Sequence, residues 1–373
     1  MSALPRTVGA TLAALAVAAG AAASAAHGAA PTPYVPPSSG TAQGVDWTTV
    51  DLGTCSVASN TATVSGTYVG CPSTSVASPG AVASAFGSLW AAGSGAYVQG
   101  QATAYVQAVN PSTSAVSPVQ SISGITLPKA AVLGGSYLWL AGASAASSNG
   151  SVKAVAVGLD STGTARKRFT ASSGSTGGGG LSVAYGASKV WVGDALGRVY
   201  GLSPSSGKLL LTIKTPSPHG LAVSGSNLWV TNPSARTVRV FNTSSGAQRT
   251  SITVTGAPNA VLVSGSSAWV FTQKYLYRYS TSSLKQTGRY TAPQSGSGWL
   301  RAVSGPGGIW ASNYVAQVVR FNTSALAFDV NATWSNSNTA GPIASAGGAL
   351  WVPNTGSSPS PVGHSVTRFV PTS

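Results

Sequence analysis

An apolar residue followed by Trp recurs seven times along this chain. The pairs are Leu89-Trp90, Leu138-Trp139, Val190-Trp191, Leu228-Trp229, Ala268-Trp269, Ile309-Trp310 and Leu350-Trp351, with Trp spacings of 49, 52, 38, 40, 41 and 41. Such a period belongs to repeat architectures, where one unit cannot bury its apolar face alone and stacks on its neighbours. Each Trp is preceded by a short apolar strand and a small-residue turn, as in LAVSGSN and VLVSGSS. After it come a second strand, a loop, a third strand such as TVRVF or QVVRF, a Ser/Thr/Asn/Gly turn and a fourth strand such as RTSITV. Four strands per unit, seven times over, predict an all-β, seven-bladed β-propeller of four-stranded antiparallel blades. The 46 Gly and the scarcity of good helix formers beyond the first thirty residues agree with an all-β chain.

Residues 1–30 read as a signal peptide: one early Arg, an Ala-rich apolar run from Val8 to Ala26, and small residues at Ala23-Ser24-Ala25 or Gly28-Ala29-Ala30 for cleavage. Export to the extracellular or periplasmic space is therefore expected, with no span of the membrane once the signal is removed. Residues 31–45 are Pro- and Ser-rich and suit a linker, which leaves 46–373 for the propeller. The seventh copy ends in SVTRFVPTS, its third strand, so the fourth strand is expected from the N-terminal side, from TVDLGTC or ATVSGTYVG. That sharing would close the ring and remove an open edge. Cys55 and Cys71 are the chain's two cysteines, and in an exported protein they are expected to form a disulfide at this seam.

The segment His219–Gly246, HGLAVSGSNLWVTNPSARTVRVFNTSSG, resembles the YVTN-type propeller repeat, with Leu228-Trp229-Val230-Thr231-Asn232 at the namesake motif. Val190–Asp194, Ile309–Asn313 and Leu350–Asn354 match it in part. The resemblance runs from about Ala81 to Ser373 and implies the fold, while propellers of this kind host unrelated activities. It also brings a distant similarity to streptogramin-lyase-like propellers, whose metal is held by acidic and histidine side chains. This chain has no Glu, and only His219 and His364 remain after removal of the signal. Neither a metal site nor another cofactor is predicted.

Charge narrows the classes further. Twenty Lys and Arg stand against five Asp (Asp46, Asp51, Asp160, Asp194, Asp329), a net charge of +15 with only 7% charged residues. Long-range attraction favours anionic partners. The cations are scattered, with Arg166-Lys167-Arg168 as the one cluster, which argues against nucleic acid. Arg278, Arg320 and Arg368 align in the third strands of three successive units and read either as a basic stripe or as structural side chains covering apolar surface. Where the family pattern carries an acid after the third strand, the turns here read FNTSSG, FNTSAL, YSTSSL and LSPSSG. Asn and Ser hold such turns at any pH, so either an acidic exterior or compositional drift accounts for the missing carboxylates. The sequons at Asn149, Asn242, Asn322 and Asn331 match glycosylation acceptors, two of them within the repeat turn.

These features predict a secreted, monomeric, non-catalytic binding or scaffolding module whose partner is a protein, a glycan or an anionic cell-envelope polymer. Long loops between second and third strands in units one, two and seven raise one side of the rim. They offer Tyr97, Gln99, Asn149, Asn354 and His364 as contact residues, with Trp299 and Tyr314 nearby. The alternatives are a lyase- or hydrolase-type enzyme with a reduced site of His219, Asp194 and Arg236, and a carbohydrate binder stacking sugars on Tyr97, Trp299 and Tyr314.

Overall fold

Alternation of small apolar and polar residues on either side of each Trp gives strands too short to bury anything alone, and they are buried by being arranged radially. The structure, a computed structural model, describes residues 39–42, 45–52, 77–94, 103–175, 178–293, 299–313, 317–333, 339–355 and 365–371. It is a seven-bladed β-propeller, and no helix occurs among the described residues. Blade four shows the plan: Leu221–Ser224 lies innermost, followed outward by Asn227–Asn232, Thr237–Asn242 and Gln248–Thr253, each antiparallel to the last. Blades one to six repeat this order. In blade seven Ala349–Thr355 pairs with Ser365–Pro371, and Val45–Asp51 lies antiparallel to Ser365–Pro371 on its other side. Cys55 and Cys71, and the first 38 residues, lie outside the described residues.

The core is divided among the seams. Each of seven apolar clusters joins one blade to the next, and each contains one repeat Trp. Trp139, for example, packs with Val183, Val190 and Tyr200 of blade three. The seam of blades seven and one holds Trp351, Val366 and Ala344 with Val82, Leu89 and Val109. The repeated ring fills the contact with the following blade at every seam. A buried Trp removes about 200 Å² from water, worth at most about 5 kcal/mol at 25 cal/mol per Å².

In five blades the indole is shown with a polar partner as well. Its Nε1–H donates to a carbonyl at the end of the innermost strand or one residue past it: Trp90 to Ala85 at 3.1 Å, Trp139 to Gly134 at 3.2 Å, Trp191 to Gly186 at 3.2 Å, Trp310 to Pro306 at 2.8 Å and Trp351 to Ala346 at 3.1 Å. The Trp thus ties down the first hairpin of its own blade while filling the seam. In those five blades this second role favours Trp over Phe or Leu.

The turns after the third strands are held by one side-chain oxygen each. Asn242 Oδ1 accepts from the backbone of Ser244 at 2.8 Å and Ser245 at 3.1 Å, and Asn322 Oδ1 from Ser324 and Ala325, both at 3.0 Å. Asn110 does the same in blade one, at 2.9 and 3.0 Å, while Ser203 and Ser280 serve blades three and five at 3.2 Å. Only blade two uses a carboxylate, Asp160, bonded to the backbone of Thr162 at 2.9 Å and Thr164 at 3.1 Å.

Candidate functional site: the central channel

The innermost strands enclose a channel of about 630 Å³. Its lining is mostly small or aliphatic because seven strands converge there. The cross-strand register places Ala81, Ala130, Ser182, Ala260 and Arg301 at equivalent positions, opposite the residue two beyond the blade Trp. Four of these are small and one is an arginine. Bulges in the innermost strands between Trp299 and Arg301 and between Thr126 and Ala130 re-aim the chain at this level.

Arg301 crosses the channel: its Nη2 donates to the carbonyl of Ala131, on the innermost strand of blade two, at 2.9 Å. It separates the main void from a smaller one of about 220 Å³ beside Val82, Ser84 and Ser345. The side chain keeps partial exposure, since it faces the void. Protein surrounds that void, and this burial pushes the guanidinium pKa down to about 10, still cationic at neutral pH. Two further cationic or titratable groups line the channel, Lys129 and His219. Lys129 is exposed at the end of the blade-two bulge, just before Ala130. His219 immediately precedes blade four, held by its backbone N–H on Thr231 O at 3.0 Å. Its Nδ1 lies 3.1 Å from the carbonyl of Asn259, which can only accept, so Nδ1 carries the proton. Burial lowers the His219 pKa, the Asn259 carbonyl opposes that shift, and the charge of Lys129 adds to it.

The residues selected from sequence as a reduced catalytic site each bond to other partners. Asp194 is fully buried at the end of its strand. One carboxylate oxygen accepts from the backbone of Leu196 and the other from Tyr200 Oη at 2.9 Å, so it caps its own turn. Asn232 and Asn313 occupy the same strand-end position; Asn313 Oδ1 accepts from the backbone of Gln317 at 3.1 Å, while Asn232 Oδ1 accepts from Thr215 Oγ1 at 3.2 Å. Arg236 is exposed in the turn after Asn232 with φ of 52°. Among the described residues no group of three or more His, Cys, Asp or Glu stands together.

Of the rim residues, Asn149 is exposed in the blade-two loop, its Oδ1 accepting from Ser147 Oγ at 2.6 Å and Ser151 N at 3.0 Å. Asn354 pairs through its backbone with Ser365. Tyr97, Gln99, Tyr314 and His364 lie outside the described residues. Trp299 has no exposed surface and packs on Phe271 with ring centroids 5.8 Å apart, so it is core and not a sugar-stacking platform.

The basic motifs are structural in their placement. Arg278, Arg320 and Arg368 each lie over their own blade's Trp, at 5.3, 5.4 and 5.9 Å from the ring centroid. The Arg166–Arg168 run alternates across an outer strand, with Arg166 on Asp160 at 2.6 Å and Lys167 over Tyr137 at 5.4 Å. Gly179 has φ of 123°, and a Cβ on Gly178 would collide with Val152 O. Crowding there comes from blade two.

Sequence reasoning missed Lys129 and Arg301. Aligning TLPKAAVLG and WLRAVSG with the other innermost strands exposes two cations beside a row of Ala, Ser and Gly, but scoring the channel level requires knowing where the bulges fall. No protein-family model matches the chain, and no curated protein matches it.

Proposed function

We propose that the protein is a secreted, non-catalytic binding module whose partner is an anionic cell-envelope polymer. The observation that carries this reading is where the carboxylates are. Asp160 holds a turn and Arg166, Asp194 caps its turn and Tyr200, and Asp329 is gripped by Arg320 at 2.7 and 3.0 Å. These three carboxylates are thus engaged in holding the fold, while Lys129, Arg301 and the imidazole of His219 face the channel. A chain of net charge +15 attracts polyanions over long range, and the cations that line the channel suit holding an anion. Closure of the ring by the N-terminal strand, stapled by Cys55 and Cys71, belongs to the same reading, since it gives a fold able to persist outside the cell.

The test is co-sedimentation of the protein with insoluble or bead-linked poly(glycerol phosphate), polygalacturonate and neutral dextran at 20 and 300 mM salt. Retention by a polyanion, weakened by salt and absent on dextran, is the expected result. Equal retention on dextran, or none on either polyanion at 20 mM salt, overturns the reading.

A further inference from the structure

We infer that the central channel is a binding site for a small anionic group, a carboxylate or a phosphate, held by Arg301 and Lys129 beside His219. This deepens the binding-module reading and rests on it, by naming where a charged end of the ligand is received.

Arg301 has five N–H donors in a planar fork, and the acceptor it meets across the channel is one backbone carbonyl, Ala131 O. A neutral carbonyl does not compensate a guanidinium. No carboxylate belongs to the channel lining among the described residues, so the positive charge there is unbalanced. Lys129 adds to it from the same side: it lies two residues before Ala131, and its charge is felt at His219 from blade two. The imidazole, with Nδ1 on Asn259 O, leaves Nε2 as its second polar atom. Three basic side chains from blades two, four and six therefore border one void.

Space is available because blades one, two, three and five place only Ala81, Ala130, Ser182 and Ala260 at the level of Arg301. The void of about 630 Å³ admits a ligand of sugar-acid size. Low-dielectric walls focus the field of charges set within them. A guanidinium fork matches the two oxygens of a carboxylate or phosphate, and such charge-assisted bonds are about twice as strong as neutral ones. A strut serving structure alone would be better built from an aliphatic side chain, which needs no counter-charge.

The experiment is isothermal titration of the full-length secreted protein with inorganic phosphate, glucuronate and neutral glucose at fixed ionic strength. It is run on the wild type, Lys129→Gln, Arg301→Gln and the outer-strand control Arg249→Gln. Expected is saturable one-site binding of phosphate, glucuronate or both, which identifies the ligand's charged group, with none of glucose. Affinity should fall at least tenfold in K129Q, be lost in R301Q and be unchanged in R249Q. Absence of binding by both anions, or equal binding in K129Q and wild type, overturns the site. Lys129 is exposed and is not part of the core, so K129Q decides the matter even if R301Q fails to fold. Polyanion retention without small-anion binding removes the channel site and leaves the binding-module reading; small-anion binding through Lys129 without polyanion retention does the reverse.

Discussion

The guanidinium of Arg320 lies 5.4 Å from the centre of the Trp310 ring, directly across the strand pair from it. Arg278 on Trp269 and Arg368 on Trp351 repeat the arrangement in the flanking blades. In blades two and three the residue opposite Trp is Gly158 or Gly201 instead. The exposed side of the indole is thus covered by an Arg stem or approached closely by backbone. Arg278→Ala should lower stability by about 1 kcal/mol, from lost ring contact and lost apolar cover. Urea unfolding checks this, and an unchanged midpoint would show that the ring is held without the Arg.

Trp residues that differ in one hydrogen bond allow a sharper comparison. Trp139 Nε1 donates to Gly134 O at 3.2 Å, whereas Trp229 Nε1 is buried without a partner. Both rings have no exposed surface. Replacement by Phe removes a similar volume at each, so Trp139→Phe should be more damaging than Trp229→Phe by about 0.5–1.5 kcal/mol. Equal losses would mean that seam packing alone selects Trp.

Turn chemistry predicts how the fold meets acid. Asn242→Ala removes the acceptor for two backbone N–H groups and should destabilise by about 1 kcal/mol at every pH. Asn242→Asp should be close to neutral at pH 7 and lose ground at pH 3, as its carboxylate protonates. Residual acid sensitivity in the wild type comes from Asp160 and Asp329. The Thr162 hydroxyl and then Arg166 hold the Asp160 pKa below the usual range. For Asp329 burial acts upward, but the bonds and charge of Arg320 with the bond of Asn322 outweigh it and the pKa is lowered. Their contribution is present above the unfolded pKa of about 3.9 and is lost as pH falls through the folded values. Melting temperatures from pH 7 to 2 should hold to about pH 4 apart from the His219 effect, then decline.

His219 sets a separate window. Its folded pKa is lowered, so below about 6.5 the unfolded chain takes up the proton before the folded chain does. Stability from this group is complete above pH 6.5, falls as pH drops towards the folded pKa, and is level below it. His219→Gln should remove that decline between pH 7 and its end, read as the difference in urea midpoint between the two proteins. A difference that is constant with pH would place the imidazole in a solvated setting instead.

Blade spacing should respond to a single methyl group. A Cβ on Gly186 would lie 2.6 Å from Val223 Cβ and Cγ1 in the next blade. Gly186→Ala should destabilise by about 1–3 kcal/mol through overpacking, measured by thermal melting, with Gly225→Ser as a control. No heavy atom lies within 4 Å of a Cβ at Gly225, and its φ of 53° limits the expected loss to backbone strain.

The sequence by itself determined the seven units, their four strands and the seam position of each Trp. It also placed Asn242 and Asn322 as turn acceptors. All of these depend on contacts within one unit or on a pattern that every unit repeats, so periodicity carries them. Only the tertiary structure decided that Asp194 bonds Tyr200, that Trp299 is core, and that Arg301 reaches Ala131 across 170 residues. Such contacts occur once, and they hang on single side chains that depart from the residue the other blades carry at the same position. The channel is made where seven strands meet, so its chemistry belongs to no single repeat.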